Sequence, residues 1–344
     1  MTQFYDGTKL LSMKDINNET PEIFLCTTNR SGGKTTFFNR MVVNRFLKSG
    51  KKFVLLYRFN YELDDCADKF FKDIEKLFFN GKNFYSKRKA MGIYHELYLD
   101  DINCGYAISL NSADMIKKYS HLFSDSECIL FDEFQSETNH YCNDEVKKFI
   151  SVHTSLARGN GKQSRYLPVY MLSNCVTLLN PYYVALGIAE RLNNSTKFLR
   201  GDGWVLENGF VETASQAQKD SAFNKAFANN KYVEYSTENI YLNDSNSFVE
   251  KVVGDGKYVV TLKYEDDYYS IKEYSDLGIV YCDDNYDPTF PRRIALTTDD
   301  HQINYIMIKN NDLFFGALKD LFKKGCFRFK NLKCKNAILK ALSI

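Results

Sequence analysis

Four residues near the N-terminus, Gly32, Gly33, Lys34 and Thr35, carry the clearest chemistry in the chain. They lie between a short apolar run, IFLC, and an amphipathic stretch, and they form the GGKT end of a phosphate-binding P-loop pattern, G-x-x-x-x-G-K-[ST]. Glycines let backbone N–H groups converge on phosphate oxygens. The lysine adds a point charge, and the Thr35 hydroxyl can hold Mg²⁺ where the next helix begins. The loop thus points to ATP and Mg²⁺ as cofactors, with Asn29, Arg30, Ser31, Gly32, Gly33, Lys34 and Thr35 around the phosphates. Thr28 stands where the pattern has its first glycine, so backbone freedom is expected to be lost where the strand ends. A GK turn capping an ordinary helix is the plainer reading, and a second motif must decide.

That motif is CILFDEF, residues 128–134, where three apolar residues read as a buried parallel strand ending in two acids. In a Walker B arrangement Asp132 would order the water shell of Mg²⁺, and Glu133 would polarise the water that attacks the γ-phosphate. Paired carboxylates at the end of an apolar strand need a cation or hydrogen bonds to meet them. A third apolar run, YLPVYMLSN, ends in Ser173 and Asn174, placed to sense the attacking water or the γ-phosphate. Between these runs VKKFISVHTSLARGNGKQSR predicts a helix with Phe149, Ile150, Val152 and Leu156 on its apolar side, closed at Gly159 and Gly161. Arg158 at its end could reach a neighbouring subunit's γ-phosphate as a finger, or could simply favour its own helix dipole.

The elements that must position these groups are readable at coarse grain. A strand at 23–26, the loop, a helix at 35–48, a strand at 52–58 and a helical stretch at 61–79 predict an α/β fold with a mainly parallel sheet. Residues 82–110 read as a hairpin inserted before the acidic strand, and Lys82, Lys87, Arg88 and Lys89 crowd it as a candidate DNA-facing cluster or an ordinary solvated turn. From Gly201 the text turns polar. The expected organisation is a P-loop ATPase domain over 1–200, a linker with short helices over 201–246, and a smaller α+β domain over 247–344. In that last domain SFVEKVVG, KYVVTLKY, YYSIKEY and GIVYCDD predict an antiparallel meander, followed by a mostly helical stretch at 310–342.

Composition agrees with this organisation. The 344 residues suffice for two cores. Nine cysteines with no C-x-x-C pair favour neither a disulfide framework nor a zinc site, which suits a reducing cytoplasm. No stretch approaches the roughly 20 apolar residues of a membrane span, and MTQFYDGTKLLSMKD lacks a signal-peptide pattern. The net charge of +2 hides a division. Lys and Arg number 27 against 22 acids over 1–200, 10 against 20 over 201–315, and 8 against 1 over 316–344. An acidic middle repels a phosphate backbone, so nucleic acid should meet the N-terminal domain or the tail. In the tail, Phe322, Phe327 and Phe329 interleave with Lys323, Lys324, Arg328 and Lys330, a pattern suited to RNA.

Taken in order, GGKT, the strand-2 arginine of FVLLYRFNYEL, FDEF, an arginine after a helix, LSN with NPYY and LTTDD resemble the DNA-encapsidation ATPases of phi29-type podoviruses. The resemblance spans nearly the whole chain. It implies an ASCE-type P-loop NTPase followed by a vestigial RNase H-like nuclease fold. By the match Lys34 and Thr35 belong to Walker A, Asp132 is the Walker B aspartate, Glu133 the catalytic glutamate and Arg158 a finger acting in trans. Arg30 matches an arginine carried within Walker A, and a trans-acting lysine would fall near Lys117 or Lys118. The implied partners are double-stranded DNA, the portal of a procapsid, a packaging RNA, and further copies of the chain in a ring of five. The implied location is the host cytoplasm, docked transiently at the portal vertex.

Other classes stay in view. A P-loop kinase would phosphorylate an acceptor instead of water, and a nucleotide-gated binding module would not need Glu133. An active nuclease would use Asp283, Asp284, Asp299 and Asp300 as metal ligands. Against that, the first strand of the meander, KYVVTLKY, offers no acid until Glu265 in the turn.

Overall fold

The computed structural model describes residues 4–342, except 68, 139, 160, 162, 179, 190, 193–195, 229, 239–247 and 308–311. The chain divides into two compact units, Met1–Asn243 and Asp244–Ile344.

The first unit is built on strands β1 (Ile23–Thr27), β2 (Lys52–Tyr57), β3 (Phe84–Lys89), β4 (Tyr94–Leu99), β5 (Ile102–Ser109), β6 (Ser126–Asp132), β7 (Val169–Ser173), β8 (Phe198–Gly201) and β9 (Trp204–Asn208). They form one sheet in the order β3-β4-β5-β2-β6-β7-β1-β9-β8. The central pairs, from β5 through β9, are all parallel, and an antiparallel strand or hairpin closes each edge. Helices α1 (Thr8–Ser12), α2 (Lys34–Ser49), α3 (Asn60–Cys66), α4 (Lys69–Phe78), α5 (Ala113–Lys118), α6 (Glu145–Leu156) and α7 (Pro181–Ala185) accompany it.

Apolar runs without polar alternation make the central strands because both faces are covered. Val54, Ile129, Met171 and Leu206 pack with Phe149, Val152 and Leu156 of α6 on one face. Phe53, Leu130, Leu172 and Val205 pack with Phe38, Val42 and Phe46 of α2 on the other. Side chains alternate faces along a strand, so each run serves both cores. Ile150, expected on the apolar side of α6, is 57 % exposed instead, because the buried stripe follows positions 149, 152 and 156 and leaves 150 a turn-third away.

One expectation is corrected here. The segment from residue 201 is not a linker: β9 pairs in parallel with β1, Trp204 and Val205 are buried, and α8 (Glu212–Asp220), α9 (Ala222–Ala226) and α10 (Lys231–Glu238) follow within the same unit. Its polar text hid a strand only five residues long. The end of the expected linker, 239–246, lies outside the described residues. The expected hairpin is present as antiparallel β3 and β4, joined through β5 to the edge of the main sheet, and its charges are largely matched. Lys82 pairs with Asp100, Arg88 with Asp64 and Lys89 with Glu96.

The second unit holds β10 (Lys257–Tyr264), β11 (Asp267–Tyr274), β12 (Ile279–Asp283), β13 (Arg293–Ala295), β14 (Ile306–Met307) and β15 (Phe327–Phe329), in the order β14-β13-β10-β11-β12-β15. Helices α11 (Asp312–Lys323) and α12 (Leu332–Ala341) pack on it. The meander comprises β10 to β12. Of the expected strand SFVEKVVG, Val249 forms a single bridge to Phe329, and Ser247 lies outside the described residues. The tail is likewise corrected: Phe327 and Phe329 are core residues of β15, Arg328 pairs with Glu250 and Lys333 with Asp267.

The acids considered as metal ligands have other partners. Asp283 lies 3.6 Å from Lys272 and 3.2 Å from Lys330, and Lys330 also pairs with Asp284. Asp300 accepts the N–H groups of Glu265 and Asp266, each at 3.0 Å, and lies 3.8 Å from the buried Lys263. Asp299 is exposed. No group of three metal-ligating side chains occurs among the described residues.

A fragment ending at residue 243 should therefore melt in one cooperative transition by circular dichroism. A fragment ending at residue 200 should aggregate, because it loses β9, bares the β1 edge and uncovers both cores.

Candidate active site

Residues 28–33 link β1 to α2, and the left-handed backbone falls at Ser31 (φ 60°) and Gly33 (φ 94°). Thr28 needs no glycine. Its N–H donates to the Ser173 carbonyl at 3.3 Å and its hydroxyl to the Asn29 carbonyl at 3.0 Å, so the substituted position is held by its own polar groups. Gly33 caps α2 with a φ that L side chains rarely adopt. A Cβ at Gly32 would sit 3.0 Å from the Val211 side chain, so this position is tight for any side chain.

β7 lies between β1 and β6 in the sheet, which brings the tips of all three strands together. Lys34 Nζ, almost buried, donates to Asn174 Oδ1 at 2.7 Å. Ser173 Oγ turns inward to the Asn174 carbonyl at 2.9 Å. At the end of β6, Asp132 Oδ1 accepts the Glu133 N–H at 2.9 Å. Glu133 itself takes a left-handed backbone, φ 58°, which is costly for a residue with a Cβ and is found where surrounding structure enforces it.

The enforcing group is Arg58, just beyond β2. Its guanidinium donates to the carbonyls of Glu133 at 3.2 Å and Phe134 at 2.8 Å, and its Nε reaches both oxygens of Glu145 at 3.1 and 3.0 Å. Glu145, the first residue of α6, also accepts the Tyr182 hydroxyl at 2.9 Å and the Cys142 N–H at 2.8 Å. Tyr182 is delivered by the NPYY motif: Asn180 caps α7 by accepting the Tyr183 N–H at 2.9 Å, and Pro181 starts the helix. Glu133 is exposed at the mouth of the cleft, yet the surrounding walls desolvate its carboxyl in part and raise its pKa above the usual carboxylate range. Asp132 and Glu137 push it further up, while Arg30 and Lys34 pull it back.

Segment 209–238 is tied to the loop at three points. Asn29 and Val211 exchange two hydrogen bonds, at 3.1 and 2.9 Å, and Gln218 donates to Ser31 Oγ at 2.9 Å. Arg30 pairs with Glu137, which also accepts the hydroxyls of Tyr235 at 2.8 Å and Tyr232 at 3.2 Å. The Arg30 guanidinium lies over both tyrosine rings, 5.3 and 5.9 Å from their centres. Burial works against the Glu137 charge, yet the hydrogen bonds from Arg30 and the two tyrosines hold its pKa below the usual range.

The resulting cleft has a volume of about 370 Å³ and is lined by Arg30, Arg58, Glu133, Gln135, Ser173 and Asn174 among others. Arg158 is not among them. α6 runs 12 residues back from the cleft, about 18 Å, and leaves Arg158 exposed at the far edge, where Gly159 packs on Ser124 just before β6. Lys117 pairs with Asp114 along α5.

A family model described as podovirus DNA encapsidation protein (Gp16) matches residues 1–342. The chain belongs to this family. It is 26 % identical to the DNA packaging proteins of Bacillus phages PZA and phi29 over 337 residues, covering 97 % of this chain and 95 % of each relative. Its fold is similar to a chain of the bacteriophage phi29 viral genome packaging motor assembly, with a TM-score of 0.68, 22 % identity and 99 % and 97 % of the two chains covered. A chain of the phi28 gp11 DNA packaging motor gives 0.62 at 17 % identity, covering 100 % and 99 %.

Sequence reasoning placed the GGKT, DE and SN groups together, and the strand tips do so. It did not find Glu145, Glu137, Tyr232 or Tyr235, whose roles depend on contacts across 37 to 107 residues. Replacing Arg58 by Met should leave Glu145 buried without its cation and destabilise the fold by about 3–5 kcal/mol in urea melts. Adding Glu145→Leu to that variant should recover part of the loss.

Proposed function

We propose that the chain hydrolyses ATP in this cleft and uses the cycle to drive double-stranded DNA into a procapsid. One observation carries the reading: Lys34, Asn174, Asp132 and Glu133 converge from the tips of three adjacent strands, and the chain belongs to the encapsidation family. Asn29 to Thr35 would receive the phosphates, and Thr35 and Asp132 would hold Mg²⁺. When bound, the ion neutralises phosphate charge and orients the leaving oxygen. Lys34 stabilises charge on the terminal phosphate and keeps Asn174 beside it. Glu133, held in its turn by Arg58, takes a proton from the attacking water.

Arg158 lies at the opposite end of the central strands from its own cleft, which suits a finger offered to a neighbouring subunit in a ring. DNA would be gripped through its phosphates, insensitive to sequence. The portal, a packaging RNA and a ring of five complete the assembly in the host cytoplasm. This reading gives the second unit a structural or docking role, since its acids are matched by lysines and backbone N–H groups.

Glu133→Gln should keep ATP binding and lower turnover ~100-fold, as for loss of a general base; near-native turnover would remove Glu133 from that role. Because partial desolvation and the neighbouring Asp132 and Glu137 raise its pKa, native activity should begin to fall at a higher pH than an ordinary carboxylate allows when pH is lowered from about 8 to 5, and Glu133→Gln should lack that limb. Mixing Arg158→Ala with Glu133→Gln subunits should restore turnover where each supplies what the other lacks; absence of rescue in demonstrably mixed rings argues for a role within one subunit. Long duplex DNA should stimulate the ATPase, and the stimulation should weaken with salt.

A further inference from the structure

Gln135, two residues beyond Glu133, is 2 % exposed and lines the cleft. Its Oε1 accepts two backbone N–H groups, from Val176 and Thr177, each at 3.0 Å. Those two donors decide which end of the carboxamide is oxygen, and they fix its plane. The other end is left over: Nε2 is buried and finds no acceptor among the described residues. A buried amide N–H without a partner is rare in a folded protein and points to strain, to catalysis or to a missing group. Here the orphaned donor belongs to the Walker B turn, and its anchor is the loop that follows the Ser173–Asn174 tip. It is therefore pinned between the two strand ends that face the γ-phosphate.

We propose that Gln135 holds the attacking water against Glu133 during hydrolysis, an inference that rests on the ATPase reading above. The water oxygen accepts the Gln135 amide N–H and one water proton passes to the Glu133 carboxylate. A lone pair of the same oxygen bonds to the γ-phosphorus, and the bond from that phosphorus to the bridging oxygen breaks, its electron pair leaving on ADP. Glu133 alone fixes only the direction of proton loss; a second contact fixes the oxygen along the line of attack. A fixed donor of this kind needs no reorganisation when charge develops.

The test is steady-state ATP turnover with Mg²⁺, together with binding of ADP and a non-hydrolysable ATP analogue, in the full chain. Gln135→Met should lower kcat ~100-fold, the size expected for loss of one preorganised donor, with nucleotide binding within about two-fold of native. Gln135→Glu keeps the acceptor for Val176 and Thr177, so the loop stays anchored, but its carboxyl donates only when protonated. Its activity relative to the native chain should therefore rise as pH is lowered from about 8 to 6. A purely structural Gln135 predicts a ratio that does not change with pH. A kcat near native in either variant, or a flat ratio for Gln135→Glu, overturns the proposal. If Gln135→Met fails to fold, Gln135→Glu decides alone. A native chain that binds both nucleotides but turns over no ATP overturns the ATPase reading as well, which separates the two failures.

Discussion

The ion pair of Arg58 with Glu145 organises the whole cleft. Both side chains are almost fully buried, so neither charge is tolerable without the other. Having met Glu145, the guanidinium still has donors to spend on the carbonyls of Glu133 and Phe134, which holds the acidic turn in a backbone conformation it would not choose alone. The same carboxylate takes the Tyr182 hydroxyl and the Cys142 N–H, so the turn, the start of α6 and α7 are joined through one group. A lysine could not replace Arg58, because a single ammonium cannot reach carboxylate and carbonyls in these directions at once.

A second junction works at the phosphate loop. Glu137 gathers Arg30, Tyr232 and Tyr235, and thereby connects the loop, the segment after the acidic strand and α10. Arg30 is held by a carboxylate and two ring faces, a set of contacts that an incoming polyphosphate would compete with. The helices from α8 to α10 thus stand on the loop by side-chain contacts that involve the very residues expected to meet the nucleotide.

The second unit shows the same economy applied to a different end. Asp283, Asp284 and Asp300, considered as metal ligands from the sequence, are met by lysines and backbone N–H groups. Lys263 stands on the first strand, buried beside Asp300. LTTDD is accordingly a turn clamp: Asp300 binds the N–H groups of the β10–β11 turn and the Thr297 hydroxyl.

Local signals determined the strands, the helix after GGKT and the order of the motifs, because apolar runs and turn glycines act over a few residues. They also marked Lys34, Asp132, Glu133, Ser173 and Asn174, whose types are tied to strand ends. Only the tertiary structure decided that β7 would lie between β1 and β6, and that the polar text after residue 201 contains a strand pairing with β1. Only it showed that Thr28 is harmless, since the positive φ falls at Ser31 and Gly33, and that Phe327 and Phe329 of the basic tail are core. Arg58 was marked only as an arginine after the second strand; its pairing with Glu145, and the parts played by Glu137 and Gln135, were illegible for one reason: a buried polar residue is defined by its partner, and these partners lie 37 to 107 residues away.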